Sequence, residues 1–217
     1  MKKSYIKTVM ALVLAAFSAL FFAGCSPEEL ELAIKSSAIG KAVSGAYGMA
    51  NATITFGVET NDIKSKLPKI RAEVMPYLGK DGKMTVRGDK ITAKFKVPVV
   101  ADSYYGSLPE RPLARLVLKD GMLKFEATSQ LEALNRTLRG IDFSLDVDFK
   151  AKHVVFKIIG DSESKCKVSA TAVFIDGEAK VNYAAEVGND DSVDIEFRCD
   201  NEASVYHQIQ PFIGIEK

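Results

Sequence analysis

Tryptophan is absent from the 217 residues, and histidine occurs only at His153 and His207. Without tryptophan the chain lacks the commonest flat platform for stacking sugars or bases, although 12 Phe and 7 Tyr remain for packing. The two histidines do not have the spacing of a metal pair such as HExxH, and each reads as a surface or half-buried residue. There is no GxSxG elbow and no phosphate loop of the GxxxxGKS or GxxxxGKT type. Charge of one sign is also missing: the net value is +1 and no long like-charge block occurs, which argues against a nucleic-acid partner. Asp142, Asp146 and Asp148 alternate with apolar residues and lack the glycine and terminal glutamate of an EF-hand, so they read as a solvated strand face. Nothing calls for a cofactor or a metal, and no catalytic group is assigned.

Long apolar runs are scarce too, and the clearest is the uncharged, mostly apolar stretch of residues 8–22. Lys2, Lys3 and Lys7 precede it, and Phe22-Ala23-Gly24-Cys25 closes it with small residues before a cysteine. The run is shorter than the roughly 20 apolar residues of a spanning helix. Its ending resembles the lipobox of bacterial lipoprotein signal peptides. The resemblance implies a signal peptide of residues 1–24 and a mature chain of residues 25–217, diacylated on the Cys25 sulfur and acylated on its new amino group. More than one buried acyl chain makes an effectively stable tether. Ser26, rather than aspartate, follows the cysteine, and by that family's sorting habit this implies the outer membrane, facing the periplasm.

Of the three cysteines, Cys25 is thereby assigned to lipid, and Cys166 and Cys199 remain. Outside the cytoplasm such a pair is expected to form a disulfide. Closing that loop would contribute about 3 to 4 kcal/mol on the chain-entropy model. The alternative is a catalytic thiol, but neither cysteine has a helix-start or CxxC setting.

Along the mature chain an alternating apolar strand repeatedly runs into Ser, Thr, Asp or Asn and then into helical spacing. Leu30, Leu32 and Ile34 precede Ser36-Ser37; Ile54 and Phe56 precede Thr60-Asn61-Asp62; Leu123 and Phe125 precede Ser129; Ile195 and Phe197 precede Asp200-Asn201 and a last helix through Val205, Ile209 and Phe212. For the first of these, Ser26-Pro27-Glu28-Glu29 also reads as a capping box opening a helix. The clearest helix is 62–78, with a kink expected at Pro68 and fraying at Pro76. Asp81-Gly82, Gly88-Asp89, Asp120-Gly121 and Asp176-Gly177 read as hairpin turns. Strands are expected at 84–87, 90–97, 113–119, 122–128, 141–150, 153–159, 166–175, 178–187 and 194–199. The fold class is therefore α+β: a mostly antiparallel twisted sheet of about nine to eleven strands with two or three short helices packed on one face. Irregular chain between Pro98 and Pro112 divides two similar subdomains, 28–100 and 113–217. It carries Tyr104 and Tyr105 as a candidate binding loop, the alternative being a connector with one tyrosine packed down.

The anchor, the hairpins and the want of catalytic groups lead first to a non-catalytic envelope lipoprotein that holds another macromolecule, an envelope protein. A receptor-shielding lipoprotein of phage or plasmid type is a variant of the same reading. The alternative is a lipid or apolar-ligand carrier, which calls for a cavity of several hundred Å³ between sheet and helices. A hydrolase with a dispersed site comes third. Membrane attachment rests on one thiol: Cys25→Ser should move the protein from the membrane fraction to the soluble fraction on ultracentrifugation, and unchanged partitioning would refute lipidation there.

Overall fold

The computed structural model describes residues 27–57, 61–108, 111–162, 165–200, 204, 206 and 210–216. Cys25, the expected signal segment and His207 lie outside the described residues.

Alternation of apolar and polar side chains builds the wall of the molecule. In β1 (Glu29–Lys35), Leu30, Leu32 and Ile34 are fully buried, while Glu29 and Lys35 face water. The same period places Ala50, Ala52 and Ile54 of β2 (Gly48–Gly57) inside. In β4 (Lys90–Ala101) it does so for Phe95, Val97 and Val99, and in β7 (His153–Ile159) for Val154, Phe156 and Ile158. Strands β5 (Ala114–Lys119), β6 (Met122–Ala127), β8 (Cys166–Ile175), β10 (Ser192–Arg198) and β11 (Phe212–Glu216) complete a ring in the order β10-β7-β1-β2-β4-β5-β6-β11-β8. It closes where β8 meets β10 at Phe174 and Glu196. β1 with β7 and β4 with β5 are parallel, and the other pairings are antiparallel.

The sheet is thus a closed nine-stranded mixed barrel rather than an open twisted sheet. Strands β3 (Lys83–Arg87) and β9 (Glu178–Val187) hang from it as hairpin arms on β4 and β8. Segments 28–100 and 113–217 contribute strands to the one ring. Aromatic rings fill part of the interior, with Phe156 edge-on to Phe197 at 5.7 Å and Phe197 edge-on to Tyr206 at 4.8 Å. Each such side chain contributes about 1.5 to 3 kcal/mol by leaving water.

Two strands change partner along a single edge. β4 pairs with β2 throughout, but its other edge serves β3 over residues 90–94 and β5 over 99–101. β8 pairs with β9 along one edge and gives the other to β11 at 167–169 and to β10 at 174. Ala172 lies between those two registers at φ 51°, a left-handed conformation that costs an L-residue about 1 to 2 kcal/mol. Two-residue turns at Gly88-Asp89, Asp120-Gly121 and Asp176-Gly177 make the expected hairpins. Asp120 and Gly121, like Asp176 and Gly177, both take the positive φ that such turns require. Asp81-Gly82 instead follows a 3-10 turn at Met75–Tyr77.

Three helices are described, and they are not all on one face. α1 (Ser36–Val43) lies between the end of β1 and the start of β2, packing Ala38, Ile39 and Ala42 inward. It lies so close that a side chain at Gly48 would meet Ala38 Cα at 2.5 Å. α2 (Asn61–Val74), which continues unbroken past Pro68, lies at the other end of β2 with α3 (Ser129–Arg139). Strand then helix holds for three of the four repeats. In the fourth, most of the expected helix is outside the described residues, and Phe212 opens β11 instead. The strand expected at 141–150 is irregular chain, and Phe143 is 75% exposed. Asp142 accepts from the Ser144 amide and hydroxyl, and Asp148 accepts from the Lys150 amide, so these carboxylates fold turns rather than line a strand.

Ser36 and Ser37 do not cap α1. Asp161, from the chain after β7, accepts from the Ser37 amide at 2.9 Å, the Ser37 hydroxyl at 2.8 Å and the Ser36 hydroxyl at 3.1 Å, and lies 3.4 Å from Lys35 Nζ. Burial opposes ionisation of Asp161, but these donors together hold its carboxyl below the usual range. Replacing an N-cap costs about 0.5 to 2 kcal/mol. Asp161→Ala should therefore lower the urea midpoint near neutral pH by that order. The difference from the parent should vanish as pH falls through the depressed Asp161 pKa, and a pH-independent difference would refute the ionised cap.

Candidate functional site

An apolar cavity of about 90 Å³ lies where β3 takes over the edge of β4 and the ring splays from β5. β2 and β4 wall it with Ile54, Phe56, Ile91 and Phe95. α2 covers it with Ile63, Ile70 and Val74, and α3 contributes Leu131, Leu134 and Leu138. The spacing of these helical residues is the three-and-four pattern of an amphipathic face. An engineered apolar cavity of about 150 Å³ takes up benzene, so this smaller, partly open space suits a guest, or the end of one, no larger than about a single ring. That is below the several hundred Å³ a whole lipid needs.

Chain 141–149 forms the remaining wall, and one buried amide holds it there. Asn135 of α3 donates to the Val147 carbonyl at 2.8 Å and accepts from the Val147 amide at 2.9 Å, as a neighbouring strand would. Leu145 and Phe149 are thereby turned inward, Phe149 lying edge-on to Phe125 at 5.2 Å. Lys66 of α2 donates to Asp142 at 2.5 Å, tying the covering helix to this wall. That bond and those from Ser144 hold the Asp142 carboxyl well below the usual range. Among the described residues, Asp146 is the only charged one lining the cavity. Its Oδ2 pairs with Arg139 at 2.5 Å, and its Oδ1 is buried with no hydrogen-bond partner among the described residues. At the rim, Glu28 pairs with Lys90 at 3.1 Å and lies against Gly57, where a side chain would come within 2.9 Å of Glu28 Oε1.

A wider groove of about 610 Å³ runs past Tyr77, Lys80, Lys96 and Arg111, and a neighbouring hollow of about 230 Å³ reaches Tyr47 and Leu108. Lys96 there pairs with Asp81 at 2.5 Å. Both hollows are open and mixed in polarity. The tyrosine loop borders them. Tyr104 packs edge-on to Tyr47 with 6.1 Å between centroids, and Tyr105 is 95% exposed. One tyrosine is packed down and its neighbour projects into water.

The remaining sequence candidates stand apart from the cavity. His153 lies 3.8 Å from Asp200 on the surface. Among the described residues no cluster of His, Cys, Asp and Glu could hold a metal, and no helix is long and apolar enough to cross a membrane. No disulfide joins Cys166 to Cys199 in this structure, in contrast to the expected bridge. Continuing the Glu196 and Phe174 register puts Cys199 opposite Thr171, five positions along β8 from Cys166. At about 3.3 Å per residue that offset alone exceeds the roughly 7 Å a disulfide spans. Sequence reading missed Arg139 and Asn135 and took Asp146 for part of a solvated strand face. The one available signal was the helical spacing of Leu131, Leu134 and Leu138 opposite the face of α2.

Compared with known proteins, the chain matches no family model, no curated protein and no solved structure.

Burial pushes the Cys166 thiol up, and burial followed by the charge of Asp200 pushes Cys199 up to about 11. A raised thiol pKa disfavours the folded state once the unfolded chain ionises and the folded one does not. Stability should therefore be unaffected by this group below about pH 9 and decline as pH rises toward 11. Thermal melts across that window should show a shallower decline for Cys199→Ala than for the parent, and equal slopes would refute the assignment.

Proposed function

We propose that this chain is a non-catalytic, lipid-anchored protein of the cell envelope that binds an apolar ligand beneath α2. The observation that carries the reading is the 90 Å³ apolar cavity, open on one side and walled by three independent elements, the barrel wall, the two helices and the Asn135-held chain. A well-packed interior leaves few voids larger than a water molecule, and each costs stability. The lipobox supplies the envelope address. The cavity's size argues for a small apolar molecule, or the end of a chain, as guest, and against a wholly enclosed lipid.

A second reading has its own observation. Tyr105, almost fully exposed on the loop whose Leu108 lines the smaller hollow, is the kind of aromatic that anchors a macromolecular partner, and it supports recognition of another envelope protein. The two readings use different surfaces and can hold together.

Toluene, with seven non-hydrogen atoms, tests the cavity directly. Ligand-observed NMR should show saturable binding to the parent protein, weakened by about tenfold or more in Ala93→Leu, which pushes three further carbons into the space. A parent that takes up no toluene, or a folded Ala93→Leu variant that binds it equally well, would overturn the proposal.

A further inference from the structure

Resting on the lipid-anchored reading, we infer that the outer face of the β3–β4 hairpin is a second membrane contact, a cationic surface that lies on anionic phospholipid headgroups. Charge is polarised along the chain. Residues 61–96 hold ten lysines and arginines against four acids, a net of +6 in a chain whose total is +1, so the remainder is acidic. Half of those ten cations stand on one wall. Alternation turns Met84, Ala93 and Phe95 inward and leaves Lys83, Arg87, Lys90, Lys94 and Lys96 outside. Register sets Lys83 directly across from Lys94 and Arg87 across from Lys90, with only the Thr85 and Thr92 pair between them. Like charges directly opposite on a sheet face are destabilising, so an anion laid against this face relieves a repulsion built into the strand pairing. Lysines on a short edge strand also discourage stray pairing. That role would explain β3 but not Lys90 and Lys94, which lie between two partner strands.

At about 3.3 Å per residue the row from Lys90 to Lys96 is about 20 Å long. Two of its members are neutralised from within the chain: Glu28 reaches Lys90 at 3.1 Å, and Asp81 reaches Lys96 at 2.5 Å. Lys83, Arg87 and Lys94 form no ion pair among the described residues. An extended row facing outward suits an array of charges, as a bilayer presents, whereas a single small anion needs donors converging on a point. The position of the row agrees with this. Lys90 pairs with Gly57, and Glu28, which holds Lys90, is three residues from Cys25. A lipid on Cys25 would be tied to this end of the row by no more than about 10 Å of backbone. Lys64, Lys69 and Arg71, exposed on α2, add to the positive potential of the same pole.

The test uses the mature chain, residues 25–217, with Cys25→Ser, so that no acyl chain contributes to binding. It should sediment with vesicles of equimolar phosphatidylcholine and phosphatidylglycerol but not with phosphatidylcholine alone. Raising the salt from about 0.1 M to about 1 M, which shortens the Debye length from about 10 Å to about 3 Å, should release it. At about fivefold in affinity for each cation at the surface, Lys83→Gln, Arg87→Gln and Lys94→Gln together should weaken binding by about a hundredfold. Lys165→Gln, Lys167→Gln and Lys180→Gln remove the same charge on and beside the β8–β9 hairpin, across the ring from β4, and should change binding little. No binding to the anionic vesicles, equal binding to the neutral ones, or equal losses in the two triple variants overturns the inference. A DNA duplex that displaces the protein from the vesicles at equal phosphate overturns the choice of lipid as partner. These outcomes leave the anchor untouched, because that reading stands or falls with the partitioning of Cys25→Ser.

Discussion

Each strand of the ring turns a row of apolar side chains inward, and closing the sheet keeps nine such rows from water while leaving no free edge in the wall. Closure is demanding because each pairing must hold its register all the way round. The chain meets the demand with two long strands, β4 and β8, that give one edge to two partners in turn. At β8 the change coincides with the left-handed turn of Ala172, a local cost carried by the pairings on either side. At β4 the change leaves the ring splayed between β3 and β5, and that opening needs other elements to cover it.

The cavity is a product of that cover. α2, α3 and the chain after α3 are drawn over the splay because each carries an apolar stripe that has to be buried. Two helices and an irregular segment do not interdigitate as strands in a barrel do, and the misfit appears as free volume. The polar groups in this region act at different ranges. Lys66 with Asp142 and Arg139 with Asp146 are ion pairs between neighbouring pieces of the cover, whereas Asn135 substitutes a side-chain amide for a missing strand. The buried amide fixes the position of the wall more firmly than the partly exposed pairs, which solvent screens.

Local features were legible in the sequence. The two-residue turns carry glycine where positive φ is needed, and β7, β8 and β9 coincide with the alternating runs at 153–159, 166–175 and 178–187. What could not be read is whatever depends on distant residues. Alternation in 141–150 is as regular as in β7, yet that segment has no strand to pair with, and Asp142 and Asp148 form turns instead. The cap of α1 is supplied by Asp161, 124 positions from Ser37, while the adjacent serines that looked like the cap serve as donors to it. Closure of the ring, and with it the separation of Cys166 from Cys199, follows from register, which no local window contains. For the cavity, the helical stripes were visible but their meeting place was not. Asp146 looked like one carboxylate among several on a wetted face, and its neighbours in space gave it a different part.

β1 enters the ring at Glu29, and Glu28 is already held by Lys90 beside Gly57 at the cavity rim. With acyl chains on Cys25, three residues of fully extended backbone, about 10 Å, would be the longest leash between headgroups and protein. So short a leash would deny the barrel free tumbling. It would keep the end bearing α2 toward the bilayer and the opposite pole, with α1, away from it. Guests that partition into lipid would then reach the pocket laterally from the leaflet, without a crossing through water.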